Sequence, residues 1–176
     1  MQRGHFRLSS GLHSDRFIQK FRIFEDPPTA ELVAGELARK LAPCKPTVVV
    51  SAAVGGLIPG FLVAKALGVR SIFIEKEAGK PVLRRGFELG PGDRAAIVED
   101  VMTTGRSTRE VMAVIQARGA EVACIGAVVK RGKAELPLPV QTLLELPLAD
   151  VEPENCGLCQ MGIPLSDPGS RRAETF

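Results

Sequence analysis

The sequence predicts an α/β protein, a parallel sheet flanked by helices and preceded by a small N-terminal flap. Three observations carry this. Short runs of β-branched and small apolar residues recur at 47–51, 70–74, 95–99, 122–129 and 141–146. Segments with apolar residues at helical spacing lie between them, at 29–41, 57–67 and 108–118. Continuous apolar runs are expected of strands buried on both faces, and strand–helix–strand order argues parallel pairing. Finally, two strand-to-helix junctions are built from small residues, which let bare backbone approach a ligand at the carboxyl end of a strand.

A chain of 176 residues that is 45% hydrophobic is long enough for one domain, 1–176, with a buried core. No window approaches the ~18 consecutive apolar residues of a membrane span. The start, Met1-Gln2-Arg3-Gly4-His5, has no signal-peptide pattern. A cytoplasmic protein is expected. Four scattered cysteines, Cys44, Cys124, Cys156 and Cys159, do not make a disulfide framework and agree with a reducing compartment. The net charge of +3, without a Lys/Arg run and with neither Trp nor Tyr, suits a small polyanion and argues against nucleic acid.

In chain order, Phe6-Arg7-Leu8 alternates like a strand, Ser9-Ser10-Gly11 turns, and Asp15 to Phe21 returns as a second strand. This is the flap, 1–28, with Phe21 assigned to the core. Pro27-Pro28-Thr29 starts a helix with Thr29 as N-cap and Leu32, Val33, Leu37 and Leu41 at helical spacing. Strand 47–51 runs directly into Ala53-Val54-Gly55-Gly56, a small-residue turn able to bring backbone against an anion. Beyond strand 70–74 the pattern dissolves over 75–90 into a span rich in cations, among them Lys76, Lys80, Arg84 and Arg85. Such a span is either a solvated hairpin or a lid.

Gly90-Pro91-Gly92-Asp93 then turns into the strand that the chain is organised around. Its apolar run reaches Glu99 and Asp100, passes Val101 and Met102, and breaks into Thr103-Thr104-Gly105-Arg106-Ser107 before a helix that closes at Gly119. A loop of this kind aims N–H and hydroxyl groups at one spot, and the helix adds the positive end of its dipole, which suits a phosphate. Carboxylates next to it would repel the anion directly, so they suit sugar hydroxyls, Mg2+ or both. Together these groups point to a sugar phosphate. Strand 122–129 ends in Lys130-Arg131-Gly132, and 139–146 reads as an edge strand.

The segment Val98 to Ser107 resembles the binding motif for 5-phosphoribosyl-1-pyrophosphate (PRPP) in type I phosphoribosyltransferases. With Phe6-Arg7-Leu8-Ser9-Ser10-Gly11-Leu12-His13-Ser14 near the start, the match narrows to the orotate phosphoribosyltransferase family and covers nearly the whole chain. The resemblance implies transfer of ribose 5-phosphate from PRPP to orotate in pyrimidine biosynthesis, giving orotidine 5′-monophosphate and pyrophosphate. It assigns PRPP to Glu99, Asp100, Val101, Met102, Thr103, Thr104, Gly105, Arg106 and Ser107, and its pyrophosphate to Ala53, Val54, Gly55 and Gly56. It assigns orotate to Thr103, Arg131, Phe17 and Ile18, with the flap as a hood over the base. An arginine suits orotate's carboxylate because its fork pairs bidentately. Mg2+ is implied as cofactor, held through PRPP with Asp100 as a candidate ligand and no direct protein site otherwise. Lys76, Lys80 and Arg84, with Asp100, are the implied catalytic groups, the cations sitting on a mobile lid, 75–90, shared across a homodimer.

The chain departs from the family at several positions. Ser9 stands where many relatives carry lysine and Gly55 where some do, Glu75 stands where arginine is usual, and the lid holds no histidine. Lys20 is a candidate to compensate for Ser9. The resemblance implies a short N-terminal helix before Gly4, where the sequence shows no obvious one, and the expectation is a trimmed or late-starting chain. A purine-type phosphoribosyltransferase, or a non-catalytic PRPP or nucleotide sensor on the same fold, are the alternative readings. In the tail, Cys156-Gly157-Leu158-Cys159 is half of a zinc site or a redox pair. The expectation is a packing turn, because Cys44 and Cys124 sit in other elements and both histidines lie at the far N-terminus. The segment from Asp167 to Arg172 is expected to be loosely ordered.

Overall fold

The computed structural model describes residues 2–8, 11–19, 21–146 and 150–167. Ser9, Lys20 and residues 168–172, singled out above, lie outside them. The chain forms two compact units, one made of residues 1–19 and 147–176, the other of residues 20–146. The flap expected over 1–28 therefore divides at 19, and the C-terminal tail joins its first part.

The smaller unit is built on an antiparallel pair, β1 (Gln2–Arg7) and β2 (His13–Phe17). Phe6 is buried and its ring centroid lies 5.7 Å from that of Phe17. The tail docks by backbone bonds to the same hairpin. His13 N–H donates to the Val151 carbonyl at 2.8 Å and Val151 returns the bond at 2.9 Å. Arg7 N–H donates to Ser166 O at 2.9 Å, and Ser166 N–H to His5 O at 2.8 Å. This docking corrects the expectation for Cys156 and Cys159. Both histidines, remote in sequence, converge on the two thiols, so the segment is more than a packing turn.

The larger unit opens with a short helix, α1 (Phe21–Phe24), where a strand had been expected. Phe21 is 45% exposed and Phe24 is buried in its place. Helix α2 (Pro27–Leu41) follows, capped by Asp26 and not by Thr29. Pro27 and Pro28 have no N–H to satisfy, so the first unpaired donor belongs to Thr29, and it donates to Asp26 Oδ2 at 3.1 Å. Ala30, Ala34, Leu37, Ala38 and Leu41 form the buried stripe, while Leu32, expected inside, is 69% exposed. An apolar residue off the stripe turns to solvent because helical geometry fixes its direction.

Strand β3 (Val48–Ala52) leads through the Ala53–Gly56 turn, with a cis Ala53–Val54 peptide, to α3 (Leu57–Leu67) and β4 (Arg70–Glu77). The chain then turns at Ala78-Gly79 into β5 (Lys80–Leu83), so the first half of the span expected as a loop is a hairpin. Both turn residues have positive φ, 49° and 78°, which matches the twist of the flanking strands. Strand β6 (Arg94–Met102), α4 (Arg106–Ala117), β7 (Glu121–Arg131) and β8 (Val140–Leu146) complete the unit.

The strand order is β5-β4-β3-β6-β7-β8, with every neighbouring pair parallel except β4 and β5. Strand alternation sends Val48, Val50, Ala95 and Ile97 into one core with Val111, Met112 and Ile115 of α4. Val49 and Ser51 point the other way, toward Gly60 of α3. The two crossover helices therefore cover opposite faces, and β3 and β6 are buried on both sides.

Candidate active site at the switch point of the sheet

The order of the strands reverses between β3 and β6, since β4 lies outside β3 and β7 outside β6. Ligands of open α/β sheets bind in the crevice that such a reversal opens at the carboxyl ends of the strands. The register pairs Ser51 with Val98, so the turn at Ala53–Gly56 leaves β3 beside Glu99 and Asp100. The two small-residue loops read from the sequence thus emerge from neighbouring strands at one edge.

Each loop is held by local geometry. Gly105 has φ 73°, is buried, and begins α4; its Cβ, if present, would approach Leu136 Cδ2 at 3.2 Å. Thr103, Thr104, Arg106 and Ser107 around it are exposed, as a cradle for an anion requires. At the other loop a Cβ on Gly56 would meet the Ala52 carbonyl oxygen at 2.9 Å, so only glycine fits.

The acid pair is buried, Glu99 6% and Asp100 4% exposed. Asp100 Oδ1 accepts from the Val101 N–H at 2.6 Å, and Glu99 Oε1 accepts from the Thr108 hydroxyl at 3.3 Å. Thr108 was not picked out by sequence reasoning, and its position one turn into α4 was the available signal. Arg109, also missed, donates to the Thr104 and Glu135 carbonyl oxygens, both at 2.9 Å, and fixes the far side of the cradle.

On the other side of β6, the register pairs Met102 with Lys130, which brings Arg131 level with Thr103. A Cβ on Gly132 would lie 3.9 Å from the Thr103 carbonyl oxygen. Arg131 is only 5% exposed, unlike an ordinary surface arginine after a strand. Phe17 and Ile18 belong to the smaller unit.

Three of the four cations of 75–90 are paired with carboxylates. Arg85 makes two bonds to Glu75, at 2.9 and 2.8 Å, and Arg84 donates to Glu77 at 2.8 Å. The hydrogen bond from Arg85 holds the Glu75 carboxyl below the usual range. Lys76 Nζ lies 2.7 Å from Glu110 of α4, which Arg106 also reaches at 3.2 Å. Lys80 has no ion pair among the described residues. Glu110, the acid that ties Lys76 to the helix of the cradle, was also missed in the sequence.

Residues 24–150 match the phosphoribosyl transferase domain model. The chain is 46% identical to the orotate phosphoribosyltransferase of Thermotoga petrophila over 97% of its length and 92% of the relative's. The chain belongs to the orotate phosphoribosyltransferase family. The orotate phosphoribosyltransferase structure from Mycobacterium tuberculosis superposes with a TM-score of 0.69 at 26% identity, covering 82% of this chain and 88% of that one. The adenine phosphoribosyltransferase of Thermoanaerobacter pseudethanolicus shares the fold at a TM-score of 0.61 and 16% identity, covering 70% of this chain and 84% of that one. The fold is thus shared with proteins of different name, and a shared fold does not by itself fix function.

Proposed function

We propose that this chain transfers ribose 5-phosphate from PRPP to N1 of orotate, releasing pyrophosphate and forming orotidine 5′-monophosphate for pyrimidine biosynthesis. The observation that carries the reading is a buried arginine, Arg131, level with Thr103 at the end of the PRPP motif. A planar acceptor base bearing a carboxylate matches a guanidinium fork, whereas a purine offers it no charge.

In this reading Thr103 to Ser107 bind the 5′-phosphate through loop amides, hydroxyls and the positive end of α4. Glu99 and Asp100 accept from the ribose hydroxyls and lie where positive charge builds on the ribose ring as pyrophosphate departs. The turn at Ala53–Gly56 presents backbone to the pyrophosphate, and Lys76, Lys80 and Arg84 compensate its growing negative charge. Thr103 and Arg131 orient orotate for in-line attack. The hard carboxylate oxygen of Asp100, beside an anion cradle, fits Mg2+, which when bound to PRPP would neutralise the leaving group. No side-chain nucleophile is needed, because positioning and electrostatics supply the catalysis.

A homodimer and a lid shared between subunits belong to the same proposal. Val54, Ile58 and Phe61, exposed at 71%, 44% and 63%, place apolar area beside the pyrophosphate turn on one turn-and-helix segment, which favours self-association. A cytoplasmic location is proposed with it, four free cysteines suiting a reducing compartment. Among the described residues no helix is long and apolar enough to cross a membrane.

The test is loss of orotate absorbance with PRPP and Mg2+, run beside adenine, hypoxanthine, xanthine and uracil. Consumption of orotate alone, abolished in Asp100→Asn, is the expected result. Turnover of a purine would overturn the assignment of Arg131, and PRPP binding without turnover of any base would make the protein a sensor.

A further inference from the structure

We propose that His5, His13, Cys156 and Cys159 form a structural Zn2+ site that joins the N-terminal hairpin to the C-terminal tail. The four ligand atoms lie within 4.8 Å of one another, in one unit and outside the catalytic crevice of the other. His5 Nε2 is 3.1 Å from His13 Nδ1, 3.4 Å from Cys156 Sγ and 3.6 Å from Cys159 Sγ, and Cys159 Sγ is 3.3 Å from His13 Nδ1. Around a tetrahedral Zn2+, bonds of ~2.0–2.1 Å to nitrogen and ~2.3 Å to sulfur give edges of roughly 3.3–3.8 Å. Three of these four edges fall in that range and the His5–His13 edge, at 3.1 Å, is slightly shorter, so small adjustments would seat the ion.

The protonation pattern argues for a cation over a hydrogen-bonded knot. His5 Nδ1 lies 2.8 Å from the Ile163 carbonyl oxygen, which only accepts, so this nitrogen carries the proton. Nε2 of a neutral His5 then holds a lone pair aimed at the other three atoms. One lone pair accepts one proton, yet three groups converge on it. A metal ion at the centre takes a lone pair from each of the four atoms, and the Ile163 carbonyl becomes the outer partner that fixes the tautomer of a ligating histidine. Binding would displace the two thiol protons, and two thiolates with two neutral imidazoles balance the charge of Zn2+. This matters because His5, His13 and Cys156 are 3%, 5% and 2% exposed. Cys159 is exposed and leaves the ion a route in.

The ligands are also held in place before any ion arrives. His5 and His13 are fixed through their own backbone groups to Ser166 and Val151. Cys156 and Cys159 bracket a single turn closed by Gly162, whose φ is 68° and whose N–H donates to the Cys159 carbonyl at 2.9 Å. Four protein ligands leave no open position, which marks the site as structural. Thiolate and imidazole together select Zn2+ over the hard cation that the PRPP site fits. A unit this small gains most from such a staple.

The test uses the full, untagged chain purified without chelator. Metal analysis should return about one Zn2+ per chain, falling below about a tenth in Cys159→Ser and in His13→Ala. Replacing Zn2+ by Co2+ in the unmodified chain should produce the visible bands of a tetrahedral ion together with thiolate-to-cobalt charge transfer, a readout that needs no variant to fold. Absence of metal with a silent Co2+ spectrum would overturn the site. So would a Cys156–Cys159 disulfide in the freshly purified protein, or stoichiometric Zn2+ retained in both variants.

Discussion

Lys76 of β4 and Glu110 of α4 form an ion pair of 2.7 Å that links the cationic hairpin to the helix following the Thr103–Gly105 turn. Arg106, at the first position of that helix, shares the same carboxylate at 3.2 Å. A lysine assigned to the leaving pyrophosphate therefore waits on a carboxylate one turn from the phosphate loop.

This pair sets a pH dependence. The hydrogen bond from Lys76, and after it that from Arg106, holds the Glu110 carboxyl below the usual range, against the opposing effect of burial. Because the folded value is depressed, the stabilisation is complete above the unfolded carboxyl value of ~4.3 and is lost as pH falls through the lower folded value. Between about pH 6 and pH 3, Glu110→Gln should lose less Tm on acidification than the unmodified chain. Superimposable Tm profiles would show that the pair contributes nothing.

Arg131→Lys keeps the charge and removes the fork. A charge-assisted bidentate contact is worth about 1.5–3 kcal/mol, so KM for orotate should rise about ten- to a hundredfold while KM for PRPP holds. Steady-state kinetics with each substrate varied in turn decides it. Equal effects on both substrates would mean that Arg131 supports the loop and does not touch the base.

Two glycines in helices should respond in opposite directions. A Cβ on Gly60 would lie 2.9 Å from Ser51 Cβ, which is fixed directly to the β3 backbone, so Gly60→Ala should destabilise by about 1–3 kcal/mol. Gly35 in α2 has nothing within 4 Å of the same position, and Gly35→Ala should stabilise by about 0.5–1 kcal/mol. Urea unfolding of the two variants measures both, and a stabilised Gly60→Ala would contradict the close packing of α3 on β3.

Much of the larger unit was legible locally. Val48 to Val50, Ala95 to Val98 and Val122 to Val129 declare buried strands by their apolar runs, and Thr103-Thr104-Gly105 declares the break before α4. Burial period and turn chemistry are properties of adjacent residues, so they survive in the linear text. The hairpin at 75–83 stays one of two readings in the sequence because Ala78-Gly79 takes a turn that the common Asn-Gly signal would have advertised.

The sequence by itself determined the parallel strands and long helices of the larger unit and the family. Only the tertiary structure decided that strand order reverses between β3 and β6, that Lys76 rests on Glu110, and that Arg131 lies beside Thr103. It alone brought His5 to Cys156, across a separation of 151 residues. The physical reason is common to all four. Which distant segments meet is fixed by the collective packing of the chain, and spacing along a sequence carries no information about distance in space once the chain has turned back on itself.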